Sequence, residues 1–233
     1  MKRFNNFLYV MNNHLDKPSA SLLRSVSLAK NNQASLTLLL VLPKLTLSSS
    51  AIKIGINGAE IEKMALAKEK ENLQELIAHL DPEVNIKIDI KIGKAYLESI
   101  RAVLSQKFDM LIKEADKVSW LNRLITSDDM HLLRNCPCPV WLMKKDEKPN
   151  YKQVIAAVDF DSEDGETYNN ELNNKIVSLG CSMSIAEFST LHVVNAYDVL
   201  DAGFISLWVD DPDKIEKEII GPTIYEDTIP QGQ

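Results

Sequence analysis

Two apolar runs decide the reading: Phe4-Asn-Asn-Phe-Leu-Tyr-Val-Met11 and Ser35-Leu-Thr-Leu-Leu-Leu-Val-Leu42. Both are short and bounded by breakers, Asn12-Asn13 after the first and Pro43 after the second. Each therefore reads as a strand buried on both faces. Between them Asp16 and Pro18 open a helix, with Pro18 in the first turn, where its missing N–H costs nothing. Leu22, Val26 and Ala29 hold helical spacing, and Asn31-Asn32 closes the helix.

The same alternation continues outward. A polar connection through Ser48-Ser49-Ser50, Gly55 and Gly58 leads to a charged helix from about Glu60 to His79, striped by Ile61, Met64, Leu73, Leu76 and Leu80. Asp81-Pro82 breaks it. Val84 to Ile92 then alternates strictly, apolar residues against Asn85, Lys87, Asp89 and Lys91, as a half-exposed edge strand does. A helix carrying Leu97, Ile100, Val103 and Leu104 follows Gly93. The next elements are a strand at Phe108 to Ile112, a helix near Ser127 to Asn135 and a strand at Pro139 to Met143. Helices separating successive strands predict an α/β fold, a doubly wound five-stranded parallel sheet over residues 1–147.

A charged linker from Lys144 to Lys152 is the natural domain boundary. Beyond it, a strand at Val154 to Val158, a helix from about Tyr168 to Glu187 and a strand at Thr190 to Ala196 repeat the opening β–α–β at a spacing of about 147 residues. Residues 198–233 are acidic, carry Pro212, Pro222 and Pro230, and offer no further strand. The expected second domain, 151–233, is thus a truncated repeat: β–α–β to about 197, then an acidic irregular tail. Two strands make no independent core. Such a piece docks on the first domain, is completed by another chain, or belongs to a truncated sequence.

Composition narrows the function classes. The 233 residues are 45% hydrophobic and 25% charged, as in a soluble globular chain. The longest unbroken apolar runs resemble Leu38 to Leu42, far short of the ~20 residues of a bilayer helix. After Met-Lys-Arg only Phe7 to Met11 is apolar, too little for a secretory leader, and three cysteines fit a reducing cytoplasm. Residues 1–150 hold 22 Lys and Arg against 17 Asp and Glu, a net +5; residues 151–233 hold 4 against 16, a net −12. The acidic part disfavours nucleic acid or an anionic membrane as partner, and the positive charge of the first part forms no basic stripe.

Several residues invite a chemical reading. Cys136 and Cys138 flank Pro137, but dispersed histidines leave them short of a zinc set; they read as small residues feeding a buried strand. His131 has no nucleophile motif beside it and reads as a packing or capping residue. Asp128-Asp129 opens a helix, where the dipole favours negative charge. Asp210-Asp211-Pro-Asp213 reads as a solvated helix start. No catalytic residue and no metal ligand is assigned.

Two stretches carry a family resemblance: Met130-His-Leu-Leu-Arg-Asn-Cys-Pro-Cys-Pro-Val-Trp-Leu-Met143, and Val154-Ile-Ala-Ala-Val-Asp-Phe-Asp161 after the linker. The chain resembles the universal stress protein family, and more narrowly its tandem E-type branch. The resemblance implies an adenine nucleotide alpha hydrolase-like sheet, a cytoplasmic location, dimer formation and a role in surviving stress. In this family the last strand often pairs across a dimer or between tandem domains, so Val140 to Met143 reads either as such an interface or as plain core. Many members bind ATP with a Gly-x-x-Gly followed by a Gly-Ser/Thr, where glycines let backbone N–H groups reach phosphates. This chain departs from that pattern: it has no glycine from Lys94 to Asp164, and Glu114 and Asp116 repel phosphate. Asp159 matches the position of an adenine-contacting acid in nucleotide-binding members, and Asn12 is its counterpart in the first unit.

The expectation is a non-catalytic stress-response binding protein, without cofactor. Asn12, Val41 and Glu114 are the candidate lining of the crevice at the carboxyl ends of the strands, with Asp159 as the candidate in the second unit. Expected partners are a small-molecule ligand and either a second copy or intramolecular pairing of the two units. The alternatives are a nucleotide-binding protein or weak nucleotide hydrolase, and a structural module completed by an exchanged partner chain.

Overall fold

A computed structural model describes residues 4–12, 15, 17–46, 57–116, 127–144, 151–159 and 166–195. His14, Asp16, Ser48-Ser49-Ser50, Gly55, the segment 117–126, the linker 145–150 and the acidic tail with Asp210, Asp211 and its prolines lie outside the described residues. The chain divides into two compact units, parted between residues 149 and 150.

In the first unit, strand β1 (Asn6–Met11) is followed by helix α1 (Ala20–Asn32), β2 (Ser35–Leu42), α2 (Gly58–Ala78) and β3 (Ile86–Ile92). Helix α3 (Ala95–Gln106), β4 (Met110–Glu114), α4 (Asp128–Asn135) and β5 (Val140–Met143) complete it. The sheet order is β3-β2-β1-β4-β5, every pair parallel. The edge position expected for the alternating strand is where β3 lies, with Lys87 and Lys91 exposed.

Central β1 is buried throughout Phe7 to Met11, so its sequence runs apolar rather than alternating. Leu8 and Val10 face one side, against Leu39, Leu111, the α3 residues Ala102 and Val103, and Leu132 of α4. Tyr9 faces the other side, where its hydroxyl meets Ser21 of α1. Helices therefore cover both faces, as the alternation of elements required.

Several boundaries differ from the sequence expectation: β1 begins at Asn6 and not Phe4, β3 at Ile86 and not Val84, and the ends of α1 and β4 also move. Ser19 is the N-cap of α1, its hydroxyl accepting from the Leu22 N–H at 3.2 Å, so Pro18 sits outside the helix and not in its first turn. Gln33, in the left-handed region at φ 51°, terminates α1 in place of Asn31-Asn32. Asn32 stays helical and donates to the Leu28 carbonyl at 2.9 Å. Strand β4 begins at Met110 and runs on to Glu114, two residues beyond the expected end at Ile112.

The second unit contains β6 (Gln153–Val158), α5 (Glu166–Glu187) and β7 (Thr190–Asn195), the strands parallel from Gln153–Thr190 to Val158–Asn195. Gly180 leaves room for Leu191 of β7 against α5: a Cβ there would stand 2.9 Å from Leu191 Cδ1. Among the described residues, no helix is long and apolar enough to cross a membrane.

Core position and exposure give a paired test of this packing. Leu111 is fully buried and Leu104 is 64% exposed, so Leu111→Ala is expected to cost about 2–5 kcal/mol and Leu104→Ala about 0.5 kcal/mol or less. Urea unfolding followed by circular dichroism checks both; equal losses would contradict the assigned layers.

Candidate functional site

A doubly wound parallel sheet holds ligands at the carboxyl ends of its strands, at the point where the strand order reverses. Here that point lies between β1 and β4, because the chain runs outward through β2 to β3 and returns beside β1. Asn12 directly follows β1, and Glu114 ends β4. Asn12 Nδ2 donates to the Glu114 carbonyl at 2.9 Å, so two of the sequence candidates meet at this junction. Val41, half-buried in β2, packs instead against the apolar cluster on the α3 side. Asp159 belongs to the other unit, at the end of β6. Its N–H donates to Asn173 Oδ1 at 3.0 Å, and its carbonyl accepts from Asn173 Nδ2 at 2.5 Å.

The Glu114 side chain points toward α1. Its Oε2 accepts from Ser21 Oγ at 3.0 Å, and that hydroxyl lies 2.8 Å from the Tyr9 hydroxyl and 2.9 Å from Ser19 Oγ. The start of α1 is thereby tied to the middle of β1 and the end of β4. Burial raises the Tyr9 phenol above its ordinary value; hydrogen bonds with Ser19 and Ser21 work against this, while the Glu114 charge adds to it.

Lys113 lies on the opposite face, in register with Val10. Its side chain is 3% exposed. Nζ donates to Asp129 Oδ1 at 2.8 Å, to Asp116 Oδ1 at 2.6 Å and to the Glu114 carbonyl at 3.1 Å. An ammonium has three N–H donors, and these three bonds use them all. The second Asp129 oxygen accepts from the Asp116 N–H at 2.8 Å, which ties the chain after β4 to the first turn of α4. Asp129 therefore serves as counter-ion to a buried lysine as well as complementing the helix dipole.

Neither Lys113 nor the Tyr9–Ser21 contact was among the sequence candidates. The available signal was a lysine set directly after Met110-Leu-Ile112, with acids following at 116 and 129. His131 stacks on Tyr96, ring centroids 4.4 Å apart, in keeping with a packing role. Cys136 and Cys138 are half-buried with their sulfurs 3.7 Å apart. Among the described residues, no group of three or more His, Cys, Asp or Glu could hold a metal ion. The junction thus presents a carboxylate and an amide, with its buried cation already saturated.

Two outcomes follow from this geometry. Lys113→Met strands the buried Asp129 carboxylate and is expected to destabilise the fold by about 3–5 kcal/mol, whereas Lys113→Met with Asp129→Leu recovers most of the loss. Denaturant midpoints of the single and double variants check this. The raised Tyr9 value fixes the sign of an alkaline effect. Above about pH 10 the unfolded phenol loses its proton while the folded one keeps it, so stability falls as pH rises. Tyr9→Phe is expected to show a shallower fall over that range in thermal unfolding.

A profile described as the universal stress protein family matches residues 4–144. Universal stress protein E of Photorhabdus laumondii is 28% identical over 239 residues, an alignment covering 100% of this chain and 72% of that protein. The proteins of the same name from Salmonella typhi and Escherichia coli K12 are both 32% identical, over 158 and 155 residues. Those alignments take in 65% and 64% of this chain but only 46% and 45% of the relatives, so less than half of their length is matched. Among solved structures, a putative universal stress protein from Pseudomonas aeruginosa UCBPP-PA14 aligns with a TM-score of 0.58 at 22% identity, covering 94% of this chain and 70% of that one. One from Archaeoglobus fulgidus aligns with a TM-score of 0.55 at 15% identity, covering 93% and 72%. At such identities the likeness concerns the fold. With its parallel five-stranded sheet and a profile match over more than half its length, the chain belongs to the universal stress protein family.

Proposed function

We propose that the chain is a non-catalytic binding and interaction protein of a stress response, and that its first unit does not grip a nucleoside triphosphate through a glycine loop. The observation that carries this reading is the saturation of Lys113 by Asp129, Asp116 and the Glu114 carbonyl. A phosphate approaching the end of β4 meets Glu114 and Asp116 before any N–H of that lysine. The glycine-free stretch from Lys94 to Asp164 supports the same conclusion, since a side chain at every position hinders close backbone approach to phosphate oxygens.

The ligand compatible with this junction is a small polar molecule without phosphate, contacted by Asn12 and Glu114, with Val41 lining the crevice farther off, on the α3 side. Residues from about 151 onward act as a second repeat, in which Asp159 holds the position that Asn12 holds in the first. Pairing between the two units, or between copies of the chain, and a cytoplasmic setting complete the reading.

Isothermal titration calorimetry of the full chain with magnesium-ATP is the test. The expected result is no saturable heat at micromolar to millimolar nucleotide. Tight, magnesium-dependent binding overturns the reading and favours the nucleotide-binding alternative.

A further inference from the structure

The segment that enters β5, at the amino edge of the first unit's sheet, consists of Cys136, Pro137, Cys138 and Pro139. It lies at the other end of the strands from the junction of Asn12 and Glu114. The Cys136 and Cys138 sulfurs are in contact at 3.7 Å, against about 2.0 Å in a disulfide, so closure needs a sulfur approach of about 1.7 Å. Both thiols are half-buried, their apolar sides packed against the cluster around Leu111 and Leu132. The backbone holds them in this arrangement. The Cys136 N–H donates to the Leu132 carbonyl at 2.9 Å, and the Pro139 carbonyl accepts from the Leu111 N–H at 2.9 Å. Pro137 fixes one φ between these anchors.

The contact divides the two thiols chemically. Cys136 is lowered to about 7, chiefly by the hydrogen bond from the Cys138 thiol, against the effect of burial. Cys138 is raised by the same contact and by burial. Cys136 also caps the carboxyl end of α4, where the helix dipole opposes an anion. Its thiolate therefore depends on Cys138.

We propose that Cys136 and Cys138 form a redox site that a peroxide closes to a disulfide and a dithiol reopens. The Cys136 thiolate attacks one peroxide oxygen, the O–O bond breaks, and a sulfenic acid forms as hydroxide leaves and takes up a proton. Cys138 then gives its proton to solvent and attacks the Cys136 sulfur. The S–O bond breaks, the S–S bond forms, and the departing hydroxide leaves as a second water. Two thiols lose two electrons, and one peroxide becomes two waters. The dithiol reverses the closure through a mixed disulfide.

The test treats the full chain with stoichiometric hydrogen peroxide, alkylates it with iodoacetamide and reads the tryptic peptides by mass spectrometry. Both cysteines fall in the peptide Asn135–Lys144, and Cys181, also half-buried, falls in another, where it serves as the internal comparison. The expected result is that Asn135–Lys144 loses two hydrogens and escapes alkylation, that dithiothreitol restores it, and that Cys181 stays alkylated. In Cys138→Ala, peroxide stops at a sulfenic acid that dimedone traps on Cys136. Alkylation of Cys136 at pH 7 is also expected to slow about tenfold as its thiol returns to the ordinary range. Three results on the wild-type chain overturn the proposal without reference to any variant: both thiols reacting no faster than Cys181, cross-linked dimers in place of internal closure, or over-oxidation without closure.

Discussion

Strand β1 is the constraint on which the first unit depends. It is paired on both edges, by β2 and β4, and covered on both faces, with Phe7, Leu8, Tyr9, Val10 and Met11 all buried. A strand so enclosed requires helices on two sides, hence crossovers that leave toward both. The reversal between β1 and β4 follows from that arrangement, and with it a crevice. Polar groups drawn under the crevice must then find partners inside the protein. The Tyr9 hydroxyl finds Ser21, and Lys113 finds Asp129 and Asp116.

The architecture was largely legible because it rests on local pattern. Central parallel strands show as unbroken apolar runs, Phe7 to Met11 and Leu38 to Leu42, and the edge strand shows as the alternation of isoleucines with Lys87, Asp89 and Lys91. Where the reading missed, the deciding partner lay elsewhere in the chain. Lys113 and Glu114 looked like the beginning of a loop, because nothing local reveals that Asp129, sixteen residues on, will accept a buried ammonium. The asparagines at 31 and 32 tolerate left-handed backbone and so signal the stop of α1, but Gln33 takes that conformation instead.

The candidate site was legible to the same degree. Asn12 and Glu114 could be found because each stands at the end of an apolar run, and the topology brings such ends together. The hydroxyls of Ser19 and Ser21 could not, since they reach Tyr9 only after α1 has been laid across β1. Cys136 and Cys138 were visible as neighbours, but their sulfur contact depends on anchors to α4 and β4. Family membership accounts for the sheet. It leaves the chemistry at its ends to these particular side chains, as one fold can carry different sites.

The position of β1 also sets the order in which the sheet can open. Exposing a β1 amide to deuterium requires β2 or β4 to leave first, whereas β3, paired among the described residues along β2 and lying at the edge of that sheet, can peel away alone. Protection against exchange is thus graded from the edge inward. The amides that would outlast the others are those directly beneath the crevice, so its floor belongs to the last part of the sheet to come undone.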